Sequence, residues 1–106
     1  MNSVWIVDDD ASIRWVLEKA LSRENISCEL FASVDDVLTA LVEEEPNVLV
    51  SDIRMPGDSG LVLLEKIKSK YPRLPVIIMT AFSDLDSAVS SFQKGAFDYL
   101  PKPFDI

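Results

Sequence analysis

Residues 47–56 read NVLVSDIRMP, and this stretch decides the fold. The aliphatic run from Val48 to Val50 predicts a short strand that is buried on both faces of a sheet. Asp52 follows that run, and a carboxylate at the carboxyl end of a buried parallel strand is costly to desolvate. Ligands of open α/β sheets bind at this same edge. Asp52 is therefore the candidate centre of the chemistry, and Pro56 predicts a surface turn after it.

The composition excludes several classes of function. The 106 residues are 48% hydrophobic, which predicts one domain with a genuine core. A formal net charge of -8 argues against direct binding to nucleic acid or to an anionic membrane. The single cysteine, Cys28, excludes an intramolecular disulfide, and the lack of histidine excludes Ser-His-Asp and Cys-His catalysis. We see no signal peptide and no run that could span a bilayer, so the expected location is the cytoplasm.

Strands and helices alternate along the chain. Five short strands are predicted, at Val4–Val7, Ser27–Phe31, Val48–Val50, Val76–Met79 and Phe97–Leu100. Helices are predicted from Ala11 or Ser12 to Asn25, from the cap Ser33 to the run Glu43–Glu45, through Leu61, Leu64 and Ile67 to Tyr71, and from Ser83 or Asp84 to Gly95. The repeated β-α pattern predicts an α/β fold with a doubly wound parallel sheet and helices on both faces.

Polar residues end four of the predicted strands: Asp8 and Asp9, Asp52, Thr80, and Lys102. Because the carboxyl ends of parallel strands meet at one edge, these residues are expected to lie together. Three carboxylates at that distance repel one another, and burial raises the cost. A divalent cation with a preference for oxygen relieves the repulsion, and Mg²⁺ fits because it takes one or two carboxylates and keeps several waters.

With Mg²⁺ present, Asp52 is suited to act as a nucleophile toward phosphorus. The metal and the Lys102 ammonium would hold two phosphoryl oxygens, and the Thr80 hydroxyl would donate to a third. The backbone carbonyl of Arg54 is placed to complete the metal shell. Each feature alone has an ordinary explanation: Asp10 and its neighbours as helix caps, or Asp52 as a turn former. Their coincidence at the ends of different strands favours a site.

The motifs also resemble a known family. VDDD after the first strand, SDIRMPG after the third, MTA after the fourth and YLPKPF after the fifth resemble the receiver domain of bacterial two-component response regulators. A narrower resemblance, to the NtrC-type branch of sigma-54 activators involved in nitrogen regulation, lies in four further segments: SIRW, PVIIMTA, SDLDSAV and GAFDYLPKPFDI.

The resemblance implies roles for individual residues. Asp52 would be the phosphoacceptor, taking its phosphoryl group from a phosphohistidine on a sensor histidine kinase. Asp9 would bind Mg²⁺ directly and Asp8 through water. Thr80 and Tyr99 would form the switch pair, and Lys102 would match the family's lysine.

The resemblance further implies a flavodoxin-like (CheY-like) sheet with strand order 2-1-3-4-5. The whole chain, 1–106, would be one receiver domain that stops before or at its fifth helix, which favours a receiver–receiver dimer. ATPase and DNA-binding domains would follow in the full-length protein and control sigma-54-dependent transcription of nitrogen-regulated genes. The domain would not be a stand-alone enzyme, although it would catalyse its own aspartyl phosphorylation and dephosphorylation.

Three alternatives remain open at this point. A haloacid-dehalogenase-like aspartyl phosphatase usually carries a second Asp two residues after its nucleophile, where this chain has Arg54. A flavin carrier shares the sheet topology, but the acidic first turn would repel the FMN phosphate. A receiver that no longer takes phosphate would serve only as a docking module.

Overall fold

The computed structural model describes residues 3–53, 60–81, 93 and 95–102. For Ala81, Tyr99, Pro101 and Lys102 the description covers the backbone alone. The strands are β1 (Ser3–Val7), β2 (Ser27–Phe31), β3 (Val48–Asp52), β4 (Val76–Ala81) and β5 (Asp98–Lys102). The helices within these ranges are α1 (Ala11–Arg23), α2 (Val34–Leu41) and α3 (Gly60–Lys70).

The sheet confirms the predicted topology. Its five strands run parallel in the order β2-β1-β3-β4-β5. The chain moves outward in one direction from β1 to β2 and in the other direction from β3 to β4. Because crossovers between parallel strands are right-handed, α1 must cover one face of the sheet while α2 and α3 cover the other. The sheet is therefore doubly wound, and its order reverses between β1 and β3.

The main core lies between the sheet and the pair α2 and α3. Alternate strand residues point to this face, among them Trp5 in β1, Leu49 in β3 and Ile78 in β4, and each of the three is fully buried. Leu63 and Ile67 of α3 pack against them and are equally buried. The apolar spacing that predicted α3 thus marks the side of the helix that faces the sheet.

The face toward α1 is less completely covered. Val48 and Val50 of β3 are half-buried, so the prediction of a strand fully buried on both faces holds for only one face. The apolar residues at helical spacing in α1 are also half-buried, and no residue of that helix is fully buried; they are Ile13, Val16, Leu17, Ala20 and Leu21. Trp15, on the same helix, is 59% exposed.

Both ends of α1 are fixed by the residues that the sequence indicated. Asp10 is the N-cap, and its carboxylate accepts a hydrogen bond from the Ser12 N–H at 2.8 Å. At the other end, Asn25 adopts a φ of 58°. The Ile26 N–H donates to the Leu21 carbonyl at 3.0 Å, which closes a Schellman motif. Asn25 is thus the predicted stop, because it tolerates the left-handed conformation better than most residues.

The last strand starts and ends later than predicted. β5 covers Asp98–Lys102 and includes Pro101, whereas the sequence pattern indicated a strand over 97–100. β5 lies at the edge of the sheet, where a proline is tolerated because the unpaired side of the strand needs no N–H donor. The helix predicted from Ser83 or Asp84 falls almost entirely outside the described residues. Its predicted stop, Gly95, has a φ of 102°.

Candidate functional site

The strand register brings Asp8 and Asp52 together. β1 and β3 pair in parallel, with Ile6 opposite Val50 and Val7 opposite Ser51. One residue further on, Asp8 and Asp52 leave the same two strands at neighbouring positions. Side chains alternate between the faces of a sheet, so both carboxylates point to the α1 side. Adjacent strands lie about 4.8 Å apart, which makes this juxtaposition a direct result of the register.

Asp9 joins these two residues in an acidic cluster made of Asp8, Asp9 and Asp52. One carboxylate oxygen from each residue lies within 4.8 Å of the others. Asp8 is fully buried and Asp52 is 7% exposed, whereas Asp9 is exposed. The cluster predicted from strand ends is therefore present, and it opens to solvent on the side of Asp9.

Hydrogen bonds fix the turn that carries Asp8 and Asp9. The Asp8 N–H donates to the Phe31 carbonyl of β2 at 3.1 Å. The Asp8 carboxylate accepts from the Asp10 N–H at 2.9 Å, which closes a tight turn around Asp9. Asp10 points into the start of α1 as its cap. Of the three consecutive acids, the first two thus face the cluster and the third serves the helix.

Arg14 reaches back to the same turn. It lies one turn into α1, and its guanidinium Nη1 donates to the backbone carbonyl of Asp8. Sequence reasoning did not select this residue. The available signal was its spacing, because Arg14 is four residues after the N-cap Asp10 and therefore lies above the start of the helix.

The end of β3 is held by three contacts. The Ile53 N–H donates to the Met79 carbonyl at 3.1 Å, and the buried Ser51 hydroxyl donates to the Asp52 carbonyl at 3.0 Å. The Gly60 N–H donates to the Ile53 carbonyl at 2.9 Å. A Cβ on Gly60 would lie only 2.8 Å from the Ile53 Cα and still closer to the Asp52 carbonyl oxygen. Gly60 therefore lets α3 begin directly against the residue that bears the candidate nucleophile.

The remaining predicted site residues are partly described. Thr80 is 2% exposed and follows Met79, which is opposite Asp52 in the register. Lys102 is opposite Ala81 at the same edge of the sheet, and Tyr99 is opposite Ile78. The side chains of Tyr99 and Lys102 lie outside the description, as does the whole of Arg54. The backbone thus places Lys102 at the predicted edge, while the Arg54 carbonyl stays a prediction.

The donor set fits a divalent cation. Carboxylate oxygens are the hard ligands that Mg²⁺ prefers, and an exposed carboxylate leaves room for the waters that this ion retains. The carboxylates of Asp8 and Asp52 are buried, and electrostatic interactions are strong in a region with little solvent. The residues present are thus those expected to hold the ion.

Comparison with known proteins adds to this geometry. Residues 4–106 match the response regulator receiver domain. The chain belongs to this family. It is 65% identical over 104 residues to the DNA-binding transcriptional regulator NtrC of Proteus hauseri, a match that covers 98% of this chain and 22% of that protein. The chain thus spans about a fifth of the length of the curated relative it matches.

Solved receiver domains are similar across nearly the whole chain. The apo receiver domain of nitrogen regulatory protein C is 62% identical, with a TM-score of 0.87 over 98% of this chain and 84% of that one. The BeF3-activated form of that domain has a TM-score of 0.82, over 99% of this chain and 86% of the solved one. The receiver is therefore of the NtrC type and is a signalling domain. Among the described residues, no helix combines the length and apolar character needed to cross a membrane.

Proposed function

We propose that Asp52 is the phosphoacceptor of this receiver and that the acidic cluster binds Mg²⁺ for the transfer. The observation that carries the proposal is the meeting of three carboxylates from two strand ends within 4.8 Å. Such a cluster is unfavourable without a cation, and family membership supplies a reaction that needs one.

The reaction would follow from the position of Asp52. One carboxylate oxygen attacks the phosphorus of a phosphohistidine on a sensor kinase. An aspartyl O–P bond forms, the N–P bond breaks, and the imidazole nitrogen keeps the electron pair of that bond. Bound Mg²⁺ would neutralise charge on the phosphoryl oxygens during the transfer.

The other residues would orient the phosphoryl group. Asp9 is suited to be a direct metal ligand because its carboxylate is exposed, and the buried Asp8 would act through water. The Thr80 hydroxyl and the Lys102 ammonium would each meet one phosphoryl oxygen, and the carbonyl of Arg54 would complete the metal shell. Thr80 turning toward the phosphate would draw Tyr99 after it and switch the region between β4 and β5.

The wider roles are proposed from the family resemblance. The phosphoryl donor would be a sensor histidine kinase, this receiver would act in the cytoplasm, and two receivers would pair as a dimer. In the full-length regulator, ATPase and DNA-binding domains would carry the signal to sigma-54-dependent transcription of nitrogen-regulated genes. The domain would act on its own phosphoryl group alone, and a net charge of -8 supports the absence of direct contact with nucleic acid or membrane.

Mass spectrometry after incubation with acetyl phosphate and Mg²⁺ tests the phosphoacceptor. We expect one added phosphoryl group on the wild type and none on Asp52→Asn. Asp35→Asn, in the exposed first turn of α2, is the matched control and should be labelled like the wild type. A phosphoryl group still added to the Asp52→Asn variant would mean that another residue is the phosphoacceptor. Absence of label on every protein would favour the docking receiver.

A further inference from the structure

Arg14 brings a cationic side chain into contact with the turn that carries Asp8 and Asp9. The guanidinium donates from α1 to the Asp8 carbonyl, and Arg14 is itself half-buried. The same Asp8 donates its N–H to β2 and accepts the Asp10 N–H on its carboxylate. Asp8 is therefore held at its N–H, its carboxylate and its carbonyl, and the third of these bonds comes from Arg14.

We propose that Arg14 is a positioning residue for the cation site, which it serves by fixing the acidic turn before the cation binds. This inference rests on the proposed function, since it assumes that the acidic cluster binds Mg²⁺. The peptide that leaves the Asp8 carbonyl leads directly into Asp9. A fixed carbonyl therefore limits rotation of the peptide that aims the exposed carboxylate toward Asp8 and Asp52.

Positioning and simple electrostatics predict opposite effects on Mg²⁺ binding. A positive charge beside a cation site repels the incoming ion, so loss of the charge alone would tighten Mg²⁺ binding. Loss of a group that orients a ligand loosens binding, and removal of such outer contacts typically weakens metal affinity by about 10-fold or more. The sign of the change thus separates the two roles.

The experiment measures the Mg²⁺ Kd of Arg14→Met by isothermal titration calorimetry. Arg23→Met is the matched control because it removes the same charge from the exposed last turn of the same helix. We expect the Kd to rise by roughly 10-fold in Arg14→Met and to stay near the wild-type value in Arg23→Met. Arg14→Lys keeps the charge and one donor, and it should restore part of the affinity.

Stability without the metal provides the second readout. Urea unfolding in EDTA shows how much Arg14 supports the fold itself, and a merely structural role would lower that stability while leaving the Mg²⁺ Kd unchanged. If Arg14→Met fails to fold, Arg14→Gln carries the test because it loses the charge and the long donor, and a Mg²⁺ Kd at or below that of the wild type would then overturn the proposal.

The outcomes separate this inference from the proposed function. A wild type that binds Mg²⁺ and is labelled at Asp52, together with an Arg14→Met protein of equal or tighter Mg²⁺ affinity, would overturn the positioning role alone. A wild type that binds no Mg²⁺ would overturn both. Weaker binding in Arg14→Met with normal binding in Arg23→Met supports the inference.

Discussion

Gly60 and Asp52 touch through their backbones: the first residue of α3 lies so close to the carbonyl of Asp52 that no side chain fits between them. The contact fixes where α3 begins relative to the end of β3. It also couples the start of α3 to the strand end that carries the candidate phosphoacceptor.

Gly60→Ala should disturb this contact. The added methyl group must displace backbone atoms of Asp52 and Ile53, and overpacking of this kind typically costs about 1–3 kcal/mol of unfolding free energy. Urea denaturation measures the loss, and acetyl phosphate labelling should slow because the strand end moves. Ser69→Ala, at an exposed site of the same helix, should leave both measurements near wild type. Wild-type stability in Gly60→Ala would mean that the helix start shifts freely.

Asp52→Asn should stabilise the metal-free protein while weakening its response to Mg²⁺. The substitution removes one of three clustered negative charges, a relief on the order of 1 kcal/mol at the effective dielectric of a partly buried site. The melting temperature in EDTA should therefore rise by roughly 4 °C. Added Mg²⁺ should raise it further in the wild type but little in the variant. A lower melting temperature in EDTA would contradict repulsion within the cluster.

The left-handed conformation of Asn25 predicts that its alanine variant is less stable than its glycine variant. Its φ of 58° suits glycine and penalises a residue with an ordinary Cβ. Asn25→Ala should lose about 1 kcal/mol of unfolding free energy, whereas Asn25→Gly should stay within about 0.5 kcal/mol of the wild type. Urea titrations compare the two, with Glu24→Ala as an adjacent exposed control. Equal losses in both Asn25 variants would point to the side-chain amide as the stabilising group.

Cys28 should react slowly with iodoacetamide. Partial burial raises the pKa of its thiol, and the neighbouring Glu18 carboxylate raises it further. Only the thiolate reacts, so at pH 8 the folded protein should be alkylated more slowly than the same chain in guanidinium. The rate should keep rising with pH beyond the range in which a free thiol has already ionised. Glu18→Gln should react faster than the wild type, whereas an unchanged rate would leave burial as the whole cause.

The sequence was sufficient for features that depend on local chemistry or on strand ends. Three helix ends could be predicted because capping and left-handed turns depend on the residue itself. They lie at Asp10, Ser33 and Asn25. The meeting of Asp8, Asp9 and Asp52 was predictable because parallel strands align their carboxyl ends.

Contacts between segments were harder to predict. Gly60 begins α3, and nothing in the neighbouring sequence indicates that a strand carbonyl will lie against it. Arg14 was not singled out from the sequence, although its guanidinium turns back to Asp8. The last strand was placed too early because Pro101 argues against a strand unless the strand is known to lie at an edge.

The parallel pairing of β1 with β3 has a consequence for synthesis in the cell. The two strand ends that form the acidic cluster are far apart in the chain, and the whole of α1, β2 and α2 lies between them. A nascent polypeptide that has emerged only as far as α2 holds Asp8 and Asp9 without Asp52. Until translation delivers β3 and that strand inserts beside β1, the ribosome-bound fragment lacks the third carboxylate of the acidic cluster, which is also the proposed phosphoacceptor.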